Sequence, residues 1–301
     1  MNSEQCEFDT TGRILRLLQE SAPLTAGSES ITWLTSKNSL PFWSRRLNCN
    51  LQGSQRCRGG DRYRDYDIEV PGRVWSLWGG LHPRAPLFDR RLQGRQALGC
   101  CVVACCVAST FRHLGDWSGK LLDAIVVNGD RYYRASVEKS QRQDLHLSVD
   151  DMCAQCDFQD LRFLVQMELV AFGYLYSDPA SATMSLLEGF KYFFTRFQSG
   201  VLQCEDRCFA FGYNFNLDGG YFFFDCSAWG KPLFPDDMGA SYVLLVKHLQ
   251  GLLYCVVVTL NVRRRNVEYR LYNVDLAHLS SDPQRAMTTS LKSQSAMPRS
   301  Q

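Results

Sequence analysis

The sequence lacks most of the patterns that mark a common enzyme. No Walker A loop and no GxGxxG turn stands between a strand and a helix, which excludes a P-loop or dinucleotide site. There is no HExxH and no paired-carboxylate motif, and the five histidines (His82, His113, His146, His248 and His278) are scattered. Long apolar runs are missing as well. The longest, Leu98 to Ser109, is far short of the roughly 18–20 residues that span a bilayer. Charge is nearly balanced, with 33 basic and 31 acidic residues and a net of +2, which argues against polycationic coating of nucleic acid. Met1 to Ser30 is polar and acidic with no apolar h-region, so no signal peptide is expected. The protein is expected to be cytoplasmic or nuclear, with no membrane contact and with reduced thiols.

Against these absences stand 13 cysteines, 45% hydrophobic residues and 12% aromatics over 301 residues. The length suits one large domain with flanks, and the composition is globular. The adjacent pairs Cys100-Cys101 and Cys105-Cys106 read as small buried hydrophobes. A structural zinc site wants four ligands at tight spacing. Cys153-Ala154-Gln155-Cys156 is a lone CxxC, and Cys204 and Cys208 form a looser CxxxC that runs into a strand, so packed thiols are expected rather than metal. No cofactor is expected either. Charge is uneven: residues 41–95 hold 11 arginines, no lysine and five acids. Such a segment is either a solvated flank or a grip for phosphate or an acidic partner.

The domain is expected at residues 74–279. Residues 1–73 read as a largely disordered, Arg-rich segment with one short helix at Thr11 to Glu20, and residues 280–301 as a disordered tail. Val74 to Trp78 is strand-like and ends at Gly79-Gly80. Leu98 to Leu114 reads as a helix apolar on every side and therefore central. Asp116-Trp117-Ser118 starts the next helix and Gly129 is expected to stop it, with amphipathic segments from Met152 to Leu175. Cys208 to Tyr213 and Tyr221 to Cys226 are aromatic strands around the hairpin signal Asp218-Gly219-Gly220. Ser241 to Val246 and Val267 to Val274 are further strands, and Leu249 to Leu260 fits a helix or a buried strand. Helices followed by an antiparallel sheet is the α+β pattern.

One chemistry remains open, that of a nucleophilic cysteine. A thiolate is favoured at a helix N-terminus, and the central helix begins near Gly94-Arg95-Gln96-Ala97. That stretch is followed by the apolar helix, Trp117, Leu122-Asp123 and Asn128-Gly129-Asp130-Arg131-Tyr132-Tyr133. Later come Phe224-Asp225-Cys226-Ser227 and Gly239-Ala240-Ser241. In this order the motifs resemble the herpesvirus tegument deubiquitinase-like peptidases, a papain-like cysteine peptidase family with divergent insect members. The resemblance covers about residues 75 to 276. It implies a papain-like fold, with N-terminal helices packed on a C-terminal antiparallel sheet, and ubiquitin or a ubiquitin-like protein as partner.

The resemblance also marks departures. The family's nucleophilic cysteine falls on Ala97, its base histidine on Ser227 and its oxyanion-hole glutamine on Pro83; only the orienting acid remains, as Asp225. Losing triad members costs several orders of magnitude in rate. The expectation is therefore a pseudoenzyme that works by protein binding. A displaced nucleophile at Cys100 or Cys101, with His82 as base, is the enzymatic alternative. A scaffold or RNA-binding role for the Arg-rich segment is another. There Asp61-Arg62-Tyr63-Arg64-Asp65-Tyr66-Asp67 interleaves rings that stack bases with cations that pair phosphates.

Overall fold

The computed structural model describes residues 62–70, 72–142, 144–175, 183–214, 220–227, 239–260 and 267–279. The helix expected at Thr11 to Glu20, the tail from Ser280 and residues 215–219 of the hairpin loop lie outside them. The chain opens with β1 (Arg62–Tyr63), β2 (Tyr66–Val70) and β3 (Val74–Trp78), followed by α1 (Ala97–Thr110) and α2 (Gly119–Ser140). Next come β4 (Gln155–Phe158), β5 (Leu161–Tyr174), β6 (Met184–Ser185) and α3 (Leu186–Phe194). The rest is β7 (Ser199–Cys204), β8 (Arg207–Asn214), β9 (Gly220–Asp225), β10 (Tyr242–Val246), α4 (Leu249–Leu260) and β11 (Glu268–Leu279).

The eleven strands among the described residues form one sheet, ordered β1-β2-β3-β10-β9-β8-β7-β11-β5-β4, with β6 on β5. Every pair is antiparallel except β5 with β6. Two apolar cores flank the sheet. One holds α1 and α2 against Leu77, Val201, Ala210, Phe222, Phe224 and Val243. The other holds α3 and α4 against Leu202, Phe209, Phe211, Phe223, Tyr242 and Leu244. Strands covered on both faces need apolar residues at every position, which is why Phe209 to Phe211 and Phe222 to Phe224 run without alternation.

This architecture corrects the expected order of layers. The helices do not precede the sheet; β1 to β3 come first, and helices cover both faces. The boundary at residue 74 is also too late, because β2 pairs with β3 and Tyr66 is fully buried with its hydroxyl donating to Leu114 O at 2.7 Å. Met152 to Leu175 forms the β4–β5 hairpin. Leu249 to Leu260 is helical.

α1 is as apolar as its sequence indicates: Leu98 to Val107 are all buried. α2 starts where expected, with the Ser118 hydroxyl accepting from Leu121 N at 3.3 Å. It does not stop at Gly129 but continues to Ser140, ending at Gln141 in the left-handed conformation (φ 54°). Gly129 serves close packing instead of termination. A Cβ there would lie 2.6 Å from Cys100 Cα, and one at Gly99 would lie 2.6 Å from Gly129 O. The two helices touch backbone to backbone. Gly129→Ala should therefore lower stability by about 3 kcal/mol through overpacking. Helix propensity alone predicts a gain of about 1 kcal/mol, so the sign of the change in urea denaturation distinguishes the two.

Candidate functional site

Two segments approach the N-terminal end of α1. The first follows β3. Gly79 N donates to Ser241 O at 2.8 Å, and Ser241 N donates to Leu81 O at 2.8 Å. Asp123 of α2 clamps the same loop, since its Oδ1 accepts from Gly80 N at 2.6 Å and from Leu81 N at 2.8 Å. The chain can pass only because residue 79 has no side chain; a Cβ there would sit 2.6 Å from Ser241 Oγ and 2.7 Å from Asp123 Oδ1. His82 and Pro83 follow, and Pro83 O accepts from Gly94 N at 3.2 Å, which brings Pro83 beside the entry to α1. The second segment leaves β9 through Asp225, Cys226 and Ser227. Asp225 pairs in register with Tyr242, and Cys226 lies against Cys100, one turn into α1.

Pro83, Ala97 and the segment from Asp225 to Ser227 thus converge near the N-terminal end of α1. Ala97 is the first residue of α1. Asp225 is fully buried and ion-paired at 3.0 Å to Arg207 of β8. The same arginine donates to Thr259 O at 2.5 Å. The other Asp225 oxygen accepts from Ser227 N at 2.8 Å. Its charge is met by an arginine and a backbone N–H. The preceding Gln96 is buried and donates to Asp130 Oδ1 at 3.1 Å, while Arg134 holds Asp130 Oδ2 at 2.8 Å. The remaining motif positions brace this arrangement. Tyr132 donates to Cys153 O at 2.6 Å and Tyr133 to Leu145 O at 2.8 Å.

Four buried polar atoms here have no hydrogen-bond partner among the described residues: Trp78 Nε1, His82 Nδ1, Gln96 Oε1 and Ser241 Oγ. Each such atom costs about 1–3 kcal/mol if nothing satisfies it. The sequence singles out Ala97, Pro83, Asp225 and Ser227 through the resemblance and gives Arg207 no role. Arg207 sits at the start of a strand that carries no motif, and only the buried acid opposite it gives it meaning.

The thiols behave as core. Cys100 and Cys101 are completely buried. Burial pushes the Cys101 thiol well above its ordinary range, with Cys226 and Cys208 adding to it. The hydrogen bond from Cys100, followed by burial, does the same to Cys226. His82 is buried too, and desolvation with help from Arg84 lowers its pKa, which keeps the ring neutral. A displaced thiolate at Cys100 or Cys101 would have to form inside this apolar packing. The second cysteine pair does not form one half of a metal site: Cys204 faces the core under α3 and α4, Cys208 the core under α1 and α2. Among the described residues no group of three or more His, Cys, Asp or Glu could hold a metal ion.

The model of the herpesvirus tegument protein N-terminal conserved region matches residues 86–270. The chain belongs to that family. Its structure is similar to the crystal structure of the ubiquitin-specific protease encoded by a murine cytomegalovirus tegument protein, solved in complex with a ubiquitin-based suicide substrate. The TM-score is 0.56 at 11% identity, over 72% of this chain and 94% of that one. This likeness shows the shared fold. A search of curated proteins gives no match. No helix among the described residues is long and apolar enough to cross a membrane.

Two outcomes follow from this geometry. Asp123→Ala removes a charged acceptor from two backbone donors and should cost about 2 kcal/mol in chemical denaturation, whereas Asp123→Asn, which keeps an oxygen there, should cost less. The second concerns pH. Burial pushes Cys105 and Cys208 up to about 12 from an ordinary 9.0. The unfolded chain releases these protons first, so it binds fewer protons than the folded chain between those values. Stability should fall as pH rises from about 9 towards 12, read as a falling denaturation midpoint, and these thiols should leave it unchanged below that window.

Proposed function

We propose that this chain is a catalytically silent relative of the tegument deubiquitinases that acts by binding a protein, with ubiquitin or a ubiquitin-like protein as the partner. The observation that carries the reading is Ala97, a residue with no nucleophile at the first position of α1, where the family places its cysteine. Ser227 and Pro83 support it. A serine does not act as a base near neutral pH, and a proline side chain donates no hydrogen bond to an oxyanion. The surviving acid has a structural reason to persist, because Asp225 neutralises Arg207 inside the protein.

Binding without cleavage is a reasonable use of what remains. The loop through Gly79 to Pro83 is still clamped by Asp123, and unpartnered polar atoms of Trp78, His82 and Ser241 lie along it. The role is therefore that of a holder or shield of a modified partner.

The test is a ubiquitin probe with a thiol-reactive C-terminal warhead, read by intact mass, beside a titration with unmodified ubiquitin. The expected result is saturable binding with no adduct. An adduct on the native chain would overturn the silent reading and send attention to Cys100 and Cys101. Absence of both signals would remove ubiquitin as the partner. The double substitution Ala97→Cys with Ser227→His should label at least tenfold faster than the native chain.

A further inference from the structure

The Arg-rich stretch of residues 41–95 is not used by the cleft. Its last part, residues 84–95, leads from Pro83 to α1 and carries four of its arginines. This segment is a string of turns pinned from inside. Ala85, Phe88 and Leu92 are buried in the core that holds α1 and α2. Gln93 Nε2 donates to Ala85 O at 3.1 Å and to Phe88 O at 3.2 Å. Leu92 N and Gln93 N donate to Asp89 O at 2.9 and 3.0 Å. With Phe88 and Leu92 turned inwards, the residues beside and between them turn outwards. Leu87 is 60% exposed, more than any other large apolar side chain among the described residues. Arg90 and Arg91 are exposed as well.

The cations of this surface divide into engaged and available ones. Arg91 holds Asp89, with Nη2 donating to Oδ2 at 3.0 Å and the backbone N to Oδ1 at 3.0 Å. Arg134 of α2 pairs with Asp130 at 2.8 Å, and Arg95 Nη1 donates to Asp144 O at 2.5 Å. These groups fix the frame. Arg90 and Arg131 are exposed and hold no hydrogen bond or ion pair among the described residues. The two belong to one surface. Gln96 ties the end of the segment to Asp130, the residue before Arg131. The hydrogen bonds from Arg91 hold the Asp89 carboxyl below its ordinary range, and the charge of Arg134, one turn from Arg131, adds to this from α2. The other positions one turn from Arg131 are Val127, Asn128 and Ala135, none of them acidic.

The surface selects a chemistry. Arginines with unused donors suit carboxylates, which they bind through paired N–H groups. Nucleic acid carries the same sign, but a single strand also wants rings on which its bases stack. The exposed aromatic side chains among the described residues are Tyr63, Phe111, Phe172 and Tyr174, and none lies on this segment or on α2. Leu87 offers an apolar contact instead. Because the backbone that carries it is already pinned, little ordering is left to be done on binding.

We infer that the surface around Leu87, Arg90 and Arg131 docks an acidic peptide segment of a partner protein, with carboxylates on the two arginines and an apolar side chain on Leu87. The inference does not rest on the ubiquitin reading of the cleft, and failure of either leaves the other standing.

The experiment is a fluorescence anisotropy titration of the full chain against a labelled synthetic peptide, one leucine flanked on each side by three glutamates. A peptide with lysines in place of the glutamates and an oligothymidylate serve as comparisons. The expected result is saturable binding of the glutamate peptide that weakens as salt rises, with none for the lysine peptide. Arg90→Glu combined with Arg131→Glu should weaken it about tenfold, and Leu87→Ser about threefold, with the melting temperature unchanged. If the double reversal unfolds the chain, Arg90→Gln with Arg131→Gln replaces it, with a loss of about threefold expected. No saturable binding of the glutamate peptide, equal binding of the lysine peptide, or binding undiminished in folded variants would overturn the docking surface. Tighter binding of the oligothymidylate than of the glutamate peptide would overturn it in favour of nucleic acid.

Discussion

Because α1 has no polar face, it needs apolar surface around its whole circumference, and that requirement organises the molecule. Ten consecutive residues, Leu98 to Val107, are withdrawn from water. The sheet supplies one side through β7 and β8, and α2 supplies another through the Gly99–Gly129 contact. Small residues make this possible. Four cysteines, a glycine and three alanines lie in α1, and they let neighbouring backbones approach more closely than leucines would. The cysteines that look like chemistry in the sequence are therefore better understood as volume.

The same helix fixes where a reaction could occur. Its N-terminus is held by Gln96 on Asp130, by Pro83 on Gly94 and by the Asp123 clamp on the preceding loop. Together these restraints fix the backbone around Ala97. Asp225 is half of a buried ion pair with Arg207. Such a pair is hard to remove one partner at a time, because either loss strands the other charge inside.

How much of this was legible in the sequence varied with the kind of signal. α1 was legible because an unbroken apolar run has few alternatives, and β8 and β9 because aromatic runs flank a turn signal. The end of α2 was misread, because a glycine stops a helix or admits a neighbour, and only the neighbour's position decides. β1 and β2 were hidden by their charge: Arg62, Arg64, Asp65 and Asp67 resemble a solvated flank, although Tyr66 among them is fully buried. Ala97, Pro83, Asp225 and Ser227 were singled out only through the order of the motifs. Arg207 was not, since an ion pair across 18 residues leaves no pattern in the chain.

The position of β11 has a consequence for how the molecule is made. This strand lies between β7 and β5, in the interior of the sheet, with partners on both edges. Its residues are the last of the described chain to be synthesised. Until they leave the ribosome, β5 and β7 each carry an open edge, and the apolar faces prepared for α1 and α3 belong to a sheet in two pieces. Open edges recruit strands from other chains. The nascent protein thus passes through an interval in which β11 competes with neighbouring molecules for the same slot.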